Sequence, residues 1–128
     1  MRHITLSPTA SSEQVAFCTD IIRSCPAATH HGFARLLAEL DLSADVLRLT
    51  VPTQVLVGTA DRLTPAWHAH RLAERLPFGL GVIEVPGAGH MTPVQAPELI
   101  TAAVHELAER YLSDPMTGPS GLPGRAAG

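Results

Sequence analysis

Two short, β-branched apolar runs, VPTQVLVG at 51–58 and LGVIEVPG at 80–87, flank a segment with helical periodicity, and this arrangement limits the chain more than any other feature. Val51 to Val57 is compact and closed by Gly58, while Val82, Ile83 and Val85 form a second run of the same kind. Near-continuous apolar runs of this length are the pattern of strands covered on both faces in a parallel sheet. Between them Thr64 is a natural N-cap and Pro65 suits the first helical position. Ala69, Leu72, Ala73 and Leu76 then recur on one face until Pro77 and the glycines at 79 and 81 break the pattern. The unit is β-α-β, a connection that is right-handed almost without exception, so the strands run parallel and the helix over 65–76 covers one face. The fold class is α/β.

Upstream, Ser11 and Gln14 form a capping-box pair before a helix carrying Val15, Cys18, Ile21, Ile22 and Cys25, which Pro26 ends. Phe33, Leu36, Leu37 and Leu40 make the apolar stripe of a second helix, and LSADVLRL is a short turn into the first strand. Residues 1–10 read as an irregular lead-in. Downstream, Ile100, Ala103, Val104, Leu107, Ala108 and Tyr111 define a final amphipathic helix over 97–112. From Ser113 the chain is rich in Pro and Gly without apolar period, the composition of a disordered tail over 113–128.

A net charge of -3 gives no electrostatic footprint for nucleic acid or for an anionic membrane surface. All nine basic residues are Arg, which reflects codon bias rather than chemistry. No run reaches the ~20 apolar residues of a membrane span and the N-terminus lacks the apolar core of a signal peptide, so a cytoplasmic location is expected.

Two titratable residues occupy matching places in the β-α-β unit. Asp61 lies just past the end of the first strand and His90 just past the end of the second. Adjacent parallel strands bring these ends together, in the crevice where open α/β sheets bind ligands. A carboxylate there fixes the tautomer of an imidazole and stabilises its charged form, the pairing of an acid and a base. Gly87 and Gly89 give the turn before His90 the freedom to aim the ring back over the strand ends.

With these residues placed, VPTQVLVGTADRLTP followed by VIEVPGAGHM resembles the C-terminal part of the α/β-hydrolase superfamily, over roughly 11–112. The resemblance implies a partial fold of two parallel core strands with flanking helices. It divides the chain into a cap-like helical segment at 1–48, a core segment at 49–112 and the tail. Family chain order runs nucleophile, acid, base, so the resemblance assigns Asp61 as the acid and His90 as the base of an ester- or acyl-bond hydrolase. It implies a small ester or acyl substrate and no cofactor.

Two departures stand out. Where members often carry Glu-x-Pro after the His, this chain has Gln95-Ala96-Pro97, with Gln95 expected to act as a capping-box partner of Thr92. More consequentially, the G-x-S-x-G elbow that carries the nucleophile occurs nowhere in the 128 residues. The nearest string, GPSGL at 118–122, has Leu122 in place of the second glycine, and His30-His31-Gly32 lies between helical stripes rather than at a strand end. A rival reading is therefore a truncated, non-catalytic fragment or interaction module that lacks the nucleophile. Under either reading, self-association through exposed sheet edges is expected.

The remaining candidates read as structure. Cys18 and Cys25, seven apart on one helical face, are small buried hydrophobes rather than a metal pair. His68 and His70 point to different helix faces, which argues against a zinc site with His105. Trp67, Phe17, Phe33 and Leu37 are expected to pack, with a pocket-lining role as the alternative.

Overall fold

The structure, a computed structural model, describes residues 5–112, so the tail reading for 113–128 lies outside the described residues. The chain divides into two compact units, residues 1–96 and 97–128. In chain order the first holds helices α1 (Ser12–Ser24) and α2 (Ala27–Glu39), a 3-10 turn (Asp45–Arg48), strand β1 (Thr53–Gly58), helix α3 (Ala66–Arg75), strand β2 (Gly79–Val85) and a short helix α4 (Thr92–Gln95). Helix α5 (Pro97–Leu112) belongs to the second.

The β-α-β unit forms as the apolar runs dictate. β1 and β2 pair in parallel, with Val55 opposite Val82, Leu56 opposite Ile83 and Gly58 opposite Val85. At its start β2 carries one extra residue relative to β1: Thr53 faces Gly79 and Val55 faces Val82. Gly81, at φ +93°, takes up that bulge, and the Gln54 amide bonds its carbonyl at 2.8 Å. α3 lies against both strands. Leu76 is its buried anchor and Ala69 and Ala73 are half-buried, but Leu72 is exposed. Arg75 ties the helix to the 3-10 region through the Ser43 carbonyl at 2.7 Å, and His70 bonds Glu84 of β2 at 2.7 Å.

α1 begins on the expected capping box, with the Ser11 hydroxyl accepting from Gln14 N and the Gln14 side chain accepting from Ser11 N. Residues 5–10 before it are not loose. Leu6, Ala10 and Cys18 form a buried cluster against which Val15, Met91 and Val94 pack, so the N-terminal segment and α1 hold the chain around His90. The two cysteines are free and unlike: Cys18 is buried, whereas Cys25 closes α1 half-buried.

α2 corrects an expectation. Its stripe of Phe33, Leu36, Leu37 and Leu40 is 56–66% exposed, and Phe17 of α1 is exposed as well. Helical spacing records that a helix has an apolar face, and the described residues supply no element to cover this one. Trp67 is also exposed rather than packed, with its ring stacked on His68 at 3.5 Å between centroids. In α5 the row Ile100, Ala103, Leu107 and Ala108 is half-buried, while Val104 and Tyr111 are exposed and Arg110 lies over the Tyr111 ring.

Candidate active site

The strand ends place the acid and the His turns against one another, and backbone bonds stitch them together. Thr59 N donates to Val85 O at 3.1 Å and Ala60 N donates to Ala88 O at 2.8 Å, while Gly87 N donates to the Thr59 hydroxyl at 2.8 Å. Gly87, at φ +71°, makes the turn. Gly58 allows the close approach: a Cβ there would collide with the carbonyls of Ala88 and Gly89. Gly89 plays a different part from the one expected, because its missing side chain leaves room for the Leu6–Ser7 backbone.

Between these turns Asp61 meets His90. The Asp61 Oδ2 to His90 Nδ1 distance is 3.0 Å, with the Asp61 side chain 5% exposed and that of His90 36% exposed. The three remaining acceptor directions of the carboxylate are also filled: Oδ1 accepts from Leu63 N at 2.8 Å and Thr64 N at 2.9 Å, and Oδ2 also accepts from the Thr64 hydroxyl at 2.9 Å. Burial pushes the Asp61 carboxyl up, but the bonds from the Thr64 backbone, the His90 ring, the Thr64 hydroxyl and the Leu63 backbone outweigh it and hold the group below its ordinary value. Asp61 is thus ionised at neutral pH and can only accept. The His90 nitrogen facing it must therefore carry its hydrogen, and the neutral ring is the Nδ1–H tautomer with a bare Nε2. Among the described residues Nε2 has no hydrogen-bond partner, which leaves its lone pair available to a proton from outside.

Two residues of this arrangement escape sequence grammar. Thr64 is not the N-cap of α3; Pro65 holds that position without a side-chain cap bond, because the Thr64 hydroxyl is engaged by the nearer carboxylate of Asp61 and sits 3.1 Å from His90 Nδ1. Gln95 is not a capping partner of Thr92. Its Oε1 accepts from Gly89 N at 2.8 Å and Ser7 N at 3.2 Å, and its Nε2 donates to the fully buried Ser7 hydroxyl at 2.6 Å. The buried Thr92 hydroxyl instead donates to Gly89 O at 2.8 Å. At Thr64 the neighbouring carboxylate took the hydroxyl from the helix end, and at Gln95 the distant Ser7 took the amide; the only sequence signal was a Thr three residues past the acid and an amide five past the His.

His30–Gly32 lies inside α2 rather than at the end of a strand. A cavity of about 360 Å³ beside the His turn, lined by Thr9, Gln14, Gly87, Ala88 and Gln95 among others, includes neither Asp61 nor His90.

The chain was compared with known proteins. No family model matches it. A thermophilic esterase from Thermogutta terrifontis, solved with malate bound, superposes with a TM-score of 0.52 at 31% identity, over 55% of this chain and 25% of that one. MGS-M2, an α/β hydrolase from a Medee basin deep-sea metagenome library, superposes with a TM-score of 0.50 at 27% identity, over 52% of this chain and 24% of its own. This chain has the C-terminal part of an α/β-hydrolase fold. Sequence relatives agree: rhodomycin D methylesterase DauP of Streptomyces sp. (strain C5) is 34% identical over 61 residues, and DnrP of Streptomyces peucetius is 32% identical over 68. These cover 48% and 53% of this chain, which spans 20% and 22% of the relatives' length. Among the described residues no helix is long and apolar enough to cross a membrane.

Proposed function

We propose that Asp61 and His90 are the acid and base of an ester-hydrolysing site of which this chain supplies the C-terminal share. The observation that carries the reading is the 3.0 Å bond between Asp61 Oδ2 and His90 Nδ1, which leaves Nε2 free. In such a site Nε2 takes the proton of a nucleophile as that nucleophile attacks the ester carbonyl, then returns it to the departing alcohol. Asp61 holds the ring and stabilises the imidazolium in between. The 128 residues carry no G-x-S-x-G elbow, so in this reading the nucleophile and the oxyanion donors are supplied by other polypeptide.

The substrate is a small carboxylic ester, with the relatives' names favouring a methyl ester. Residues 1–48 act as the cap-like segment, and the exposed row of Phe33, Leu36 and Leu37 suits the wall of an acyl pocket better than a core. The sheet is completed by added strands, since β1 and β2 are its two members among the described residues. The rival, a non-catalytic interaction piece, rests on the missing elbow.

One experiment separates the two. The chain is co-expressed with an N-terminal α/β-hydrolase fragment that carries a G-x-S-x-G elbow, and hydrolysis of short p-nitrophenyl esters is followed. Alone, the chain shows no turnover that depends on His90. The assembled pair shows turnover that His90→Ala abolishes and Asp61→Asn lowers by about four orders of magnitude. Turnover indifferent to His90→Ala sinks the assignment.

A further inference from the structure

Asp61, Thr64 and His90 form a closed triangle of polar atoms. Asp61 Oδ2 to Thr64 Oγ1 is 2.9 Å, Thr64 Oγ1 to His90 Nδ1 is 3.1 Å, and His90 Nδ1 to Asp61 Oδ2 is 3.0 Å. The protons in it can be counted. A carboxylate oxygen only accepts, so the single hydroxyl hydrogen of Thr64 goes to Oδ2. The hydroxyl then faces the imidazole with a lone pair, and the Nδ1–H is shared between two acceptors, the carboxylate and the hydroxyl. We infer that Thr64 is a positioning residue for the acid–base pair, its hydroxyl bridging Asp61 and His90 so that the ring is held with Nδ1 protonated and Nε2 bare. This rests on the proposed roles of Asp61 and His90.

Three observations separate the role from ordinary capping. The hydroxyl makes no cap bond to α3, whose N-cap is Pro65. The backbone of Thr64 is already fixed, because its N–H donates to Asp61 Oδ1 beside that of Leu63. The turn therefore does not need the hydroxyl for its own geometry. And the β-branched side chain has few χ1 states, so with the backbone fixed the hydroxyl has little freedom to leave the triangle. Without the hydroxyl, Oδ2 loses one of its two donors and Nδ1–H loses one of its two acceptors, and the alternative ring tautomer becomes accessible.

The tautomer of His90 tests this directly in the full 128-residue chain, in whichever oligomeric form it takes. Long-range proton–nitrogen correlation spectra of the histidine rings at about pH 8, above the ordinary imidazole range, distinguish Nδ1–H from Nε2–H, and His90→Ala assigns the signals. The wild type and Thr64→Ser show His90 as Nδ1–H. Thr64→Val, which keeps the shape and removes the hydroxyl, raises the Nε2–H population about fivefold, the weight of one ordinary hydrogen bond. The amide shifts of Leu63 and residue 64 report whether the turn is intact, and Thr64→Ala is read in the same way if the valine variant disturbs it. A turn that stays intact in Thr64→Val with the tautomer unchanged, while Asp61→Asn shifts it, overturns the role of Thr64 and leaves the pair standing. A tautomer that Asp61→Asn also leaves unchanged overturns the pair itself.

Discussion

At the scale of single residues, the feature with the largest consequence is a carboxylate that is 5% exposed and stays charged. An isolated buried carboxylate is costly, and Asp61 escapes the cost because four donors converge on its two oxygens. The pH dependence follows with a definite sign. The folded group titrates below its ordinary value of about 3.9, so its contribution to stability is full above that pH and is lost as pH falls through the lower folded value. Asp41, held down first by its bonds to Ser43 and also by Arg75, adds to the same acid slope. Asp61→Asn is expected to unfold more easily at neutral pH by about 2 kcal/mol, the range of hydrogen bonds to a charged group. The gap between variant and wild type then narrows below about pH 4. Urea melts across that range check it, and a gap that stays constant down to the lowest pH contradicts the account.

At the scale of elements, what holds the His turn is a set of segments distant in sequence. Residues 5–10, α1 and α4 converge on it: Met91 N donates to Thr5 O at 3.0 Å, Gln14 Nε2 donates to Val94 O at 3.0 Å, and Gln95 clamps Gly89 to Ser7. Gln95→Ala removes an acceptor that serves two backbone N–H groups, those of Ser7 and Gly89, in part-buried surroundings. The expected loss is about 2 kcal/mol in a chemical melt, since each unsatisfied donor carries its own desolvation penalty. Faster amide exchange at Ser7 and Gly89, with the β1–β2 amides unaffected, marks the loss as local; unchanged protection at both amides refutes the clamp. These same elements show what the sequence could convey. The β-α-β unit and the meeting of Asp61 with His90 were legible because strand periodicity, helix punctuation and chain order each constrain them separately. Gln95 was not, because capping rules see only neighbours within a few residues and its partner Ser7 lies 88 residues away. Thr64 was not, because its hydroxyl turns from its own helix to Asp61 and to His90, 26 residues on. The exposure of α2 was illegible for another reason, that an apolar stripe tells nothing about whether a partner is present to cover it.

At the scale of the whole molecule, the balance of buried and exposed apolar surface leads to the final prediction. Among the described residues the buried apolar set is small: Leu6, Ala10, Cys18, Val57, Leu76, Val85 and Ala88. Large side chains such as Phe33, Leu36, Leu37, Leu47, Val51 and Trp67 remain exposed. Their burial is the main favourable term that folding has available, so leaving them in water forfeits stability that a core of ordinary size supplies. The sheet, two-stranded among the described residues, adds a second liability, because each strand there has an outer edge of N–H and C=O groups beside Val, Leu and Ile side chains. Edges of this kind recruit strands, from another copy of the chain or from a fragment that completes the sheet. The purified chain is therefore expected to self-associate in sedimentation and to melt broadly at low temperature, while co-expression with an N-terminal hydrolase fragment raises and sharpens the transition by mass action. A monodisperse monomer that unfolds cooperatively above about 60 °C, high among ordinary mesophilic domains, shows instead that the exposed stripe and the open edges are already satisfied within the chain.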